Sequence, residues 1–174
     1  MRIELASLEK TDGKFAHAYE PGELALSDER ISLAQPLTVT GRVARAKEQV
    51  VARARLATRV QIECDRCLKF VELPVETEFL VEYVTSQSYE AGPPAVELSE
   101  TDMALSVFDG EAIDVDDMAR EQLLLALPWR LLCQESCKGL CPICGIDRNA
   151  EDCACVTDDV DPRWGALREL VNGK

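Results

Sequence analysis

The chain has 174 residues, and 19 Lys and Arg against 32 Asp and Glu give it a formal charge of −13. At 47% hydrophobic and 29% charged it has the composition of one folded domain, or one domain plus an appended module, and not that of a disordered or fibrous chain. The longest apolar run, Leu123 to Leu127, falls far short of the roughly twenty residues a membrane helix needs, and the acidic balance opposes nucleic-acid binding through the net field.

The start, MRIELASLEK, alternates charged and apolar residues where a secretory signal would place a basic cap before an apolar block, so a cytoplasmic protein with no membrane association is expected. From Pro36 to Tyr83 the residues alternate with period two, the mark of strands with one buried face. Leu37, Val39, Gly41 and Val43 suggest a first strand, joined through the polar turn Lys47 to Gln49 to a second. In that second strand Val50, Ala52, Ala54, Leu56, Val60 and Ile62 point one way and Arg53, Arg55, Arg59 and Gln61 the other. After Cys67 the pattern resumes, with Val71, Leu73, Val75, Phe79, Val81 and Tyr83 inward and Glu72, Glu76, Glu78 and Glu82 outward. Pro74 requires an edge or a bulge.

Thr85 to Asp102 has no period and reads as a loop or linker. Ala104 to Val115 reads as a hairpin about the turn Asp109-Gly110. Asp114 or Asp116 can then cap a helix that runs to about Leu127, with Met118, Leu123, Leu124 and Leu127 as its apolar stripe and Pro128 as its stop. Asp161-Pro162 opens a last short helix carrying Trp164, Leu167 and Leu170. The fold class expected is α+β: an antiparallel sheet curled toward a barrel, two short helices and a C-terminal Cys-rich zinc module. The division expected is 1–128 for the mixed domain and 129–174 for the module and its helix.

Between Arg42 and Lys69 the cations Arg42, Arg45, Lys47, Arg53, Arg55, Arg59, Arg66 and Lys69 outnumber the acids Glu48, Glu63 and Asp65. Arg53, Arg55, Arg59, Arg66 and Lys69 are candidate nucleic-acid contacts. The plainer reading is that antiparallel pairing sets the Arg stripe against the Glu stripe, so that the charges meet as cross-strand pairs.

Eight cysteines in a chain read as cytosolic point to metal ligation or redox chemistry rather than to disulfides. Cys64 and Cys67 form a C-x-x-C pair between two strands; Cys133 and Cys137 follow the helix; Cys141-Pro-Ile-Cys144-Gly145 is a knuckle; Cys153-Ala-Cys155 closes the set. Two thiolates on a tight turn aim at one ion, and the glycine permits that turn. Four sulfurs fill a tetrahedral site, so eight allow two closed zinc sites. The preferred partition is Cys64, Cys67, Cys133 and Cys137 about one ion and Cys141, Cys144, Cys153 and Cys155 about another. A single site from Cys137, Cys141, Cys144 and Cys153 is the alternative. The redox reading of Cys64-Asp-Arg-Cys67 lacks the helix start on which such motifs sit. His17 is the one histidine and lies far in sequence from every cysteine pair, no phosphate-binding glycine loop occurs, and no catalytic residue is assigned.

CDRCL (Cys64 to Leu68), AIDVDDM, EQLLLALP (Glu121 to Pro128), CKGLCPICGIDRN (Cys137 to Asn149), CAC and DPRWGAL (Asp161 to Leu167) together resemble the YceD family, large-ribosomal-RNA accumulation proteins of bacteria and plastids. The resemblance implies a cytosolic, non-enzymatic factor needed for synthesis, processing or stability of 23S ribosomal RNA. Some members keep the equivalents of Cys64 and Cys67 but lack the CPxCG module, which implies two sites with the second optional. Arg148 departs from the apolar residue often found before the Asn. The partner expected is the large-subunit precursor, met through a basic ribosomal protein or through 23S RNA itself, with no small-molecule substrate. The alternatives are a zinc-ribbon interaction module of another pathway and a thiol redox protein.

Overall fold

The computed structural model describes residues 1–7, 12–46, 49–90, 105–155 and 163. Among these residues the strands are β1 (Arg2–Glu4), β2 (Asp12–Tyr19), β3 (Ile31–Leu33), β4 (Leu37–Ala46), β5 (Gln49–Glu63), β6 (Phe70–Thr85), β7 (Leu105–Phe108) and β8 (Ala112–Asp114). The α-helices among them are α1 (Ser86–Glu90) and α2 (Val115–Ala126).

The alternating segments form the expected antiparallel strands, β4 to β5 to β6, with Val39 opposite Leu56 and Leu56 opposite Thr77. The sheet order is β2-β4-β5-β6-β7, and β3 also pairs with β5, beyond the end of β4. Pro74 lies opposite Arg59, where among the described residues no strand pairs with the other side of β6, because β7 covers β6 only from Glu82 to Thr85. That is an edge position where the missing N–H costs no ladder bond.

One sheet face is packed. Leu37, Val39, Val43, Val50, Ala52, Leu56, Val60, Val75, Val81 and Tyr83 are buried there with Phe15 and Tyr19 of β2. The same core cluster holds Val115, Met118, Ala119 and Leu123 of α2. This helix begins as the sequence predicts: Asp114 caps it, accepting from the N–H groups of Asp116 at 2.9 Å and Asp117 at 3.3 Å. Asp116 and Asp117 then lie in its first turn, at the positive end of the helix dipole.

Three expectations are corrected. The sheet stays open rather than closing toward a barrel: its ends are β2 and β7, and α2 covers the apolar face instead of a returning strand. Ala104 to Val115 is not a hairpin. The Asp109 carboxylate accepts from the N–H groups of Glu111 and Ala112 and Gly110 takes φ 87°, so the turn chemistry is there. Its two strands separate, however: β7 joins β6 in parallel while β8 pairs with β1. Finally, Thr85 closes β6 and Ser86–Glu90 forms helix α1 rather than loop. The rest of that expected linker, 91–102, and the expected last helix about Trp164, Leu167 and Leu170 lie outside the described residues.

Candidate metal centres

The β5–β6 connection is a knuckle. The N–H of Cys64 donates to the carbonyl of Lys69 at 2.8 Å, the N–H of Leu68 donates back to the carbonyl of Cys64 at 2.9 Å, and Leu68 takes φ 60°. This turns Cys64 and Cys67 toward the segment that follows α2. Asp65 holds that segment from both sides: its N–H donates to the carbonyl of Leu131, and its carboxylate accepts from the N–H of Leu131 at 2.7 Å. Arg66 donates from Nη1 to the carbonyl of Cys137 at 2.6 Å. Cys133 and Cys137 are thereby carried to the knuckle.

The four sulfurs of Cys64, Cys67, Cys133 and Cys137 lie within 4.8 Å of one another. Cys64 and Cys137 are 3.9 Å apart at Sγ, and Cys67 and Cys133 are 3.6 Å apart. A tetrahedral ion with metal–sulfur bonds of about 2.3 Å requires sulfur–sulfur edges of about 3.8 Å, whereas a disulfide would need about 2.05 Å. The spacing fits a tetrahedral zinc. Cys64, Cys67 and Cys137 are buried and packed by Val71, Leu132 and Leu140, while Cys133 is exposed.

The second knuckle is built the same way. The N–H of Gly145 donates to the carbonyl of Cys141, the N–H of Cys141 donates to the carbonyl of Ile146, and Gly145 takes φ 74°. Cys141, Cys144, Cys153 and Cys155 bring their sulfurs within 4.8 Å of one another. This cluster is more open, since Cys144 is exposed and Cys153 and Cys155 are half-buried. The preferred partition is the one found, and Cys137 stands with Cys64 rather than with Cys141. No disulfide joins any of the eight cysteines.

The two clusters share a frame. Gly139 takes φ 73° where the chain crosses the first knuckle, and a Cβ there would come within 2.9 Å of the Arg66 carbonyl. Beside it the N–H of Leu140 donates to that carbonyl at 3.0 Å. Lys69 Nζ meets Asp147 Oδ2 at 2.6 Å, and Asp147 Oδ1 accepts from Asn149 Nδ2 at 2.7 Å. The Lys69 ammonium, helped by the N–H of Asn149, holds the Asp147 carboxyl down at about 2.

The backbone selects which thiols ionise first. Burial pushes the Cys64 thiol up, but hydrogen bonds from the backbone of Arg66, Cys67 and Cys133 outweigh it and bring Cys64 down to about 6. Hydrogen bonds from Cys144 and Ile143 do the same for Cys141, to about 6. Cys133, sharing its proton with Cys67, is pushed up to about 12, and Cys155, sharing with Cys144, also to about 12. Four thiols held this closely cannot all ionise without a cation among them.

The candidate nucleic-acid residues do not form one cluster, although Arg53 and Arg55 line one concavity on the outward face of β5. Lys69 is paired with Asp147, Arg66 holds the Cys137 carbonyl, and Arg55 is ion-paired with Glu76 as cross-strand pairing predicts. Arg59 lies opposite Pro74 and Arg53 opposite Leu80. Asp65, Asp147 and Asn149 support the clusters and were not among the expected site residues; the signal available for Asn149 and Asp147 was their place directly after the CPICG knuckle.

A family profile described as "Large ribosomal RNA subunit accumulation protein YceD" matches residues 52–171. An uncharacterized protein of Mycobacterium bovis is 28% identical over 98% of this chain and 81% of its own length, and one of Mycobacterium tuberculosis matches equally. An uncharacterized protein of Mycobacterium leprae is 26% identical over 78% of this chain and 59% of its own length. No solved structure matches. Among the described residues no helix is long and apolar enough to cross a membrane.

Proposed function

Because the chain belongs to the YceD family of large ribosomal RNA subunit accumulation proteins, we propose that it is a non-enzymatic, cytoplasmic ribosome-biogenesis factor. In this reading it supports accumulation of 23S ribosomal RNA by binding a component of the large-subunit precursor. The observation that carries this is the family match, which spans both cysteine clusters.

Cys64, Cys67, Cys133 and Cys137 would hold one zinc ion, and Cys141, Cys144, Cys153 and Cys155 a second. Bound zinc supplies a cross-link here, since four protein sulfurs leave no position for substrate or water. Its work is to fix the 129–155 segment against the end of the sheet. A charge of −13 suits a basic ribosomal protein as partner, whereas RNA has to be met by a local patch rather than by the net field.

Deletion in the native host tests this. The ratio of 23S to 16S RNA is expected to fall, to recover with the wild-type gene, and to stay low with Cys64→Ser/Cys67→Ser. An unchanged ratio refutes the reading. Elemental analysis of the purified protein is expected to find two zinc ions per chain. Turnover in a disulfide-reduction assay by metal-free protein would replace the proposal with the thiol redox class.

A further inference from the structure

Lys14, Arg42 and Arg53 stand in one row across three strands. Lys14 is the register partner of Arg42 in the β2–β4 pair, and Arg42 is the partner of Arg53 in the β4–β5 pair. On β6 the row continues to Leu80, not to a carboxylate. All three cations are exposed on the sheet face opposite the core.

Like charges directly opposed on neighbouring strands destabilise a sheet. A chain with 32 acidic residues has ample means to relieve them. Elsewhere it does so: Arg55 with Glu76, Arg120 with Asp117, Arg30 with Asp28. Among the described residues no ion pair or side-chain hydrogen bond involves Lys14, Arg42 or Arg53. The row lines two adjoining open concavities of about 990 and 520 Å³ that share Thr40, Gly41 and Arg42. Glu78, which also lines the larger, stands opposite Arg55.

We propose that this face docks the phosphodiester backbone of double-helical RNA, with Lys14, Arg42 and Arg53 each on a phosphate. The proposal rests on, and deepens, the ribosomal RNA reading. Neighbouring strands lie about 4.8 Å apart, so the row is a regular set of cations about 10 Å across. Single-stranded RNA is held by stacking bases on aromatic side chains. Here the flanking outward positions are Ala16, Thr40, Arg55 and Glu78 on one side and Ala44, Val51 and Glu82 on the other, with no aromatic among them. Cations with small residues and the Thr40 hydroxyl between them, and the carboxylates Glu78 and Glu82 only at the β6 end of the row, fit a duplex, which is read through phosphates and 2′-hydroxyls. The local row acts where the net field opposes.

The test is fluorescence anisotropy of the full, zinc-loaded chain with a labelled RNA duplex of about 16 base pairs, between about 50 and 200 mM salt. The wild type is expected to bind with an affinity that falls as salt rises. Lys14→Gln/Arg42→Gln/Arg53→Gln is expected to lower the log–log salt slope by about three and to weaken binding about tenfold or more. A control with the same loss of charge elsewhere, Arg2→Gln/Arg30→Gln/Lys138→Gln, is expected to keep the wild-type slope. No duplex binding, an unchanged slope in the first variant, or equal losses in both overturns the proposal. Single-stranded polyuridine or polyglutamate bound as tightly as the duplex also overturns it, the latter in favour of an acidic protein. A normal 23S level in the deletion strain would instead refute the ribosomal RNA reading, leaving the duplex result to stand or fall by itself.

Discussion

The side-chain amide of Asn149 donates to the Sγ of Cys137 across 3.4 Å, so a residue of the second cluster's module touches a sulfur of the first. The other end of that amide accepts from the N–H of Lys138 at 2.8 Å. With Lys69 and Asp147 it forms a polar chain from the β5–β6 knuckle through the second module and back to a ligand of the first cluster. Four thiolates about a divalent ion leave negative charge on the sulfurs, and a donor aimed at one of them offsets part of it.

Asn149→Ala is therefore expected to weaken zinc at the first cluster by about tenfold to a hundredfold, the range of lost outer-sphere contacts. Chelator competition that resolves the two ions checks this. The second cluster, whose sulfurs Asn149 does not touch, is expected to keep its affinity. Equal weakening of both would mean that Asn149 acts only by holding the module together.

Chelating both ions should separate two levels of stability. The sheet and α2 have a continuous apolar core, whereas the first cluster is packed by little beyond Val71, Leu132 and Leu140. Hydrogen exchange with and without a chelator is expected to show lost protection at the amides of Asp65, Leu140, Cys141 and Arg148, which bond across the two knuckles. The amides of β4 and β5 are expected to stay protected. Collapse of protection throughout would show that the metals support the sheet as well.

The central strands were legible because one face is buried along their whole length: Val50, Ala52, Leu56 and Val60 are all buried at the positions alternation marks. Helix α2 was legible because its Asp cap and Pro stop are local. The paired cysteine spacings favoured the partition that the fold brings together but left Cys137 able to stand with Cys141. What escaped was pairing set at a distance. Nothing near Ala112–Asp114 says that it lies beside Arg2–Glu4, or that Leu105–Phe108 runs parallel to β6. The row of Lys14, Arg42 and Arg53 draws on three strands and exists only once their register is known. The charge stripe read along β5 alone does not show that Arg42 and Lys14 continue the row from Arg53.

Zinc binding should release protons. At pH 7.5 Cys64 and Cys141, each at about 6, are already thiolates, while Cys133 and Cys155, each at about 12, carry protons. Cys67 and Cys153 are also raised. Each site then loses its two raised-thiol protons when the ion enters, and zinc affinity falls as pH falls. Calorimetric titration in buffers of different ionisation enthalpy is expected to show release of at least two protons per ion. A buffer-independent enthalpy would refute this assignment.

Gly41 is required for space rather than for backbone freedom. A Cβ there would lie 2.6 Å from the Cβ of Ala54, 2.6 Å from the carbonyl oxygen of Arg53 and 2.8 Å from Cζ of Phe15. The Phe15 ring can yield, but the Arg53 carbonyl belongs to the backbone of β5 and cannot move without shifting the ladder. Gly41→Ala is expected to cost about 1–3 kcal/mol in denaturant unfolding, against about 0.5 kcal/mol or less for Ala16→Ser on the exposed face. Because the displaced segment carries Arg53, the same substitution should also weaken RNA duplex binding in protein that remains folded. Gly41→Ala protein with wild-type stability would show that β4 and β5 do not approach as closely as the register of Gly41 on Ala54 requires.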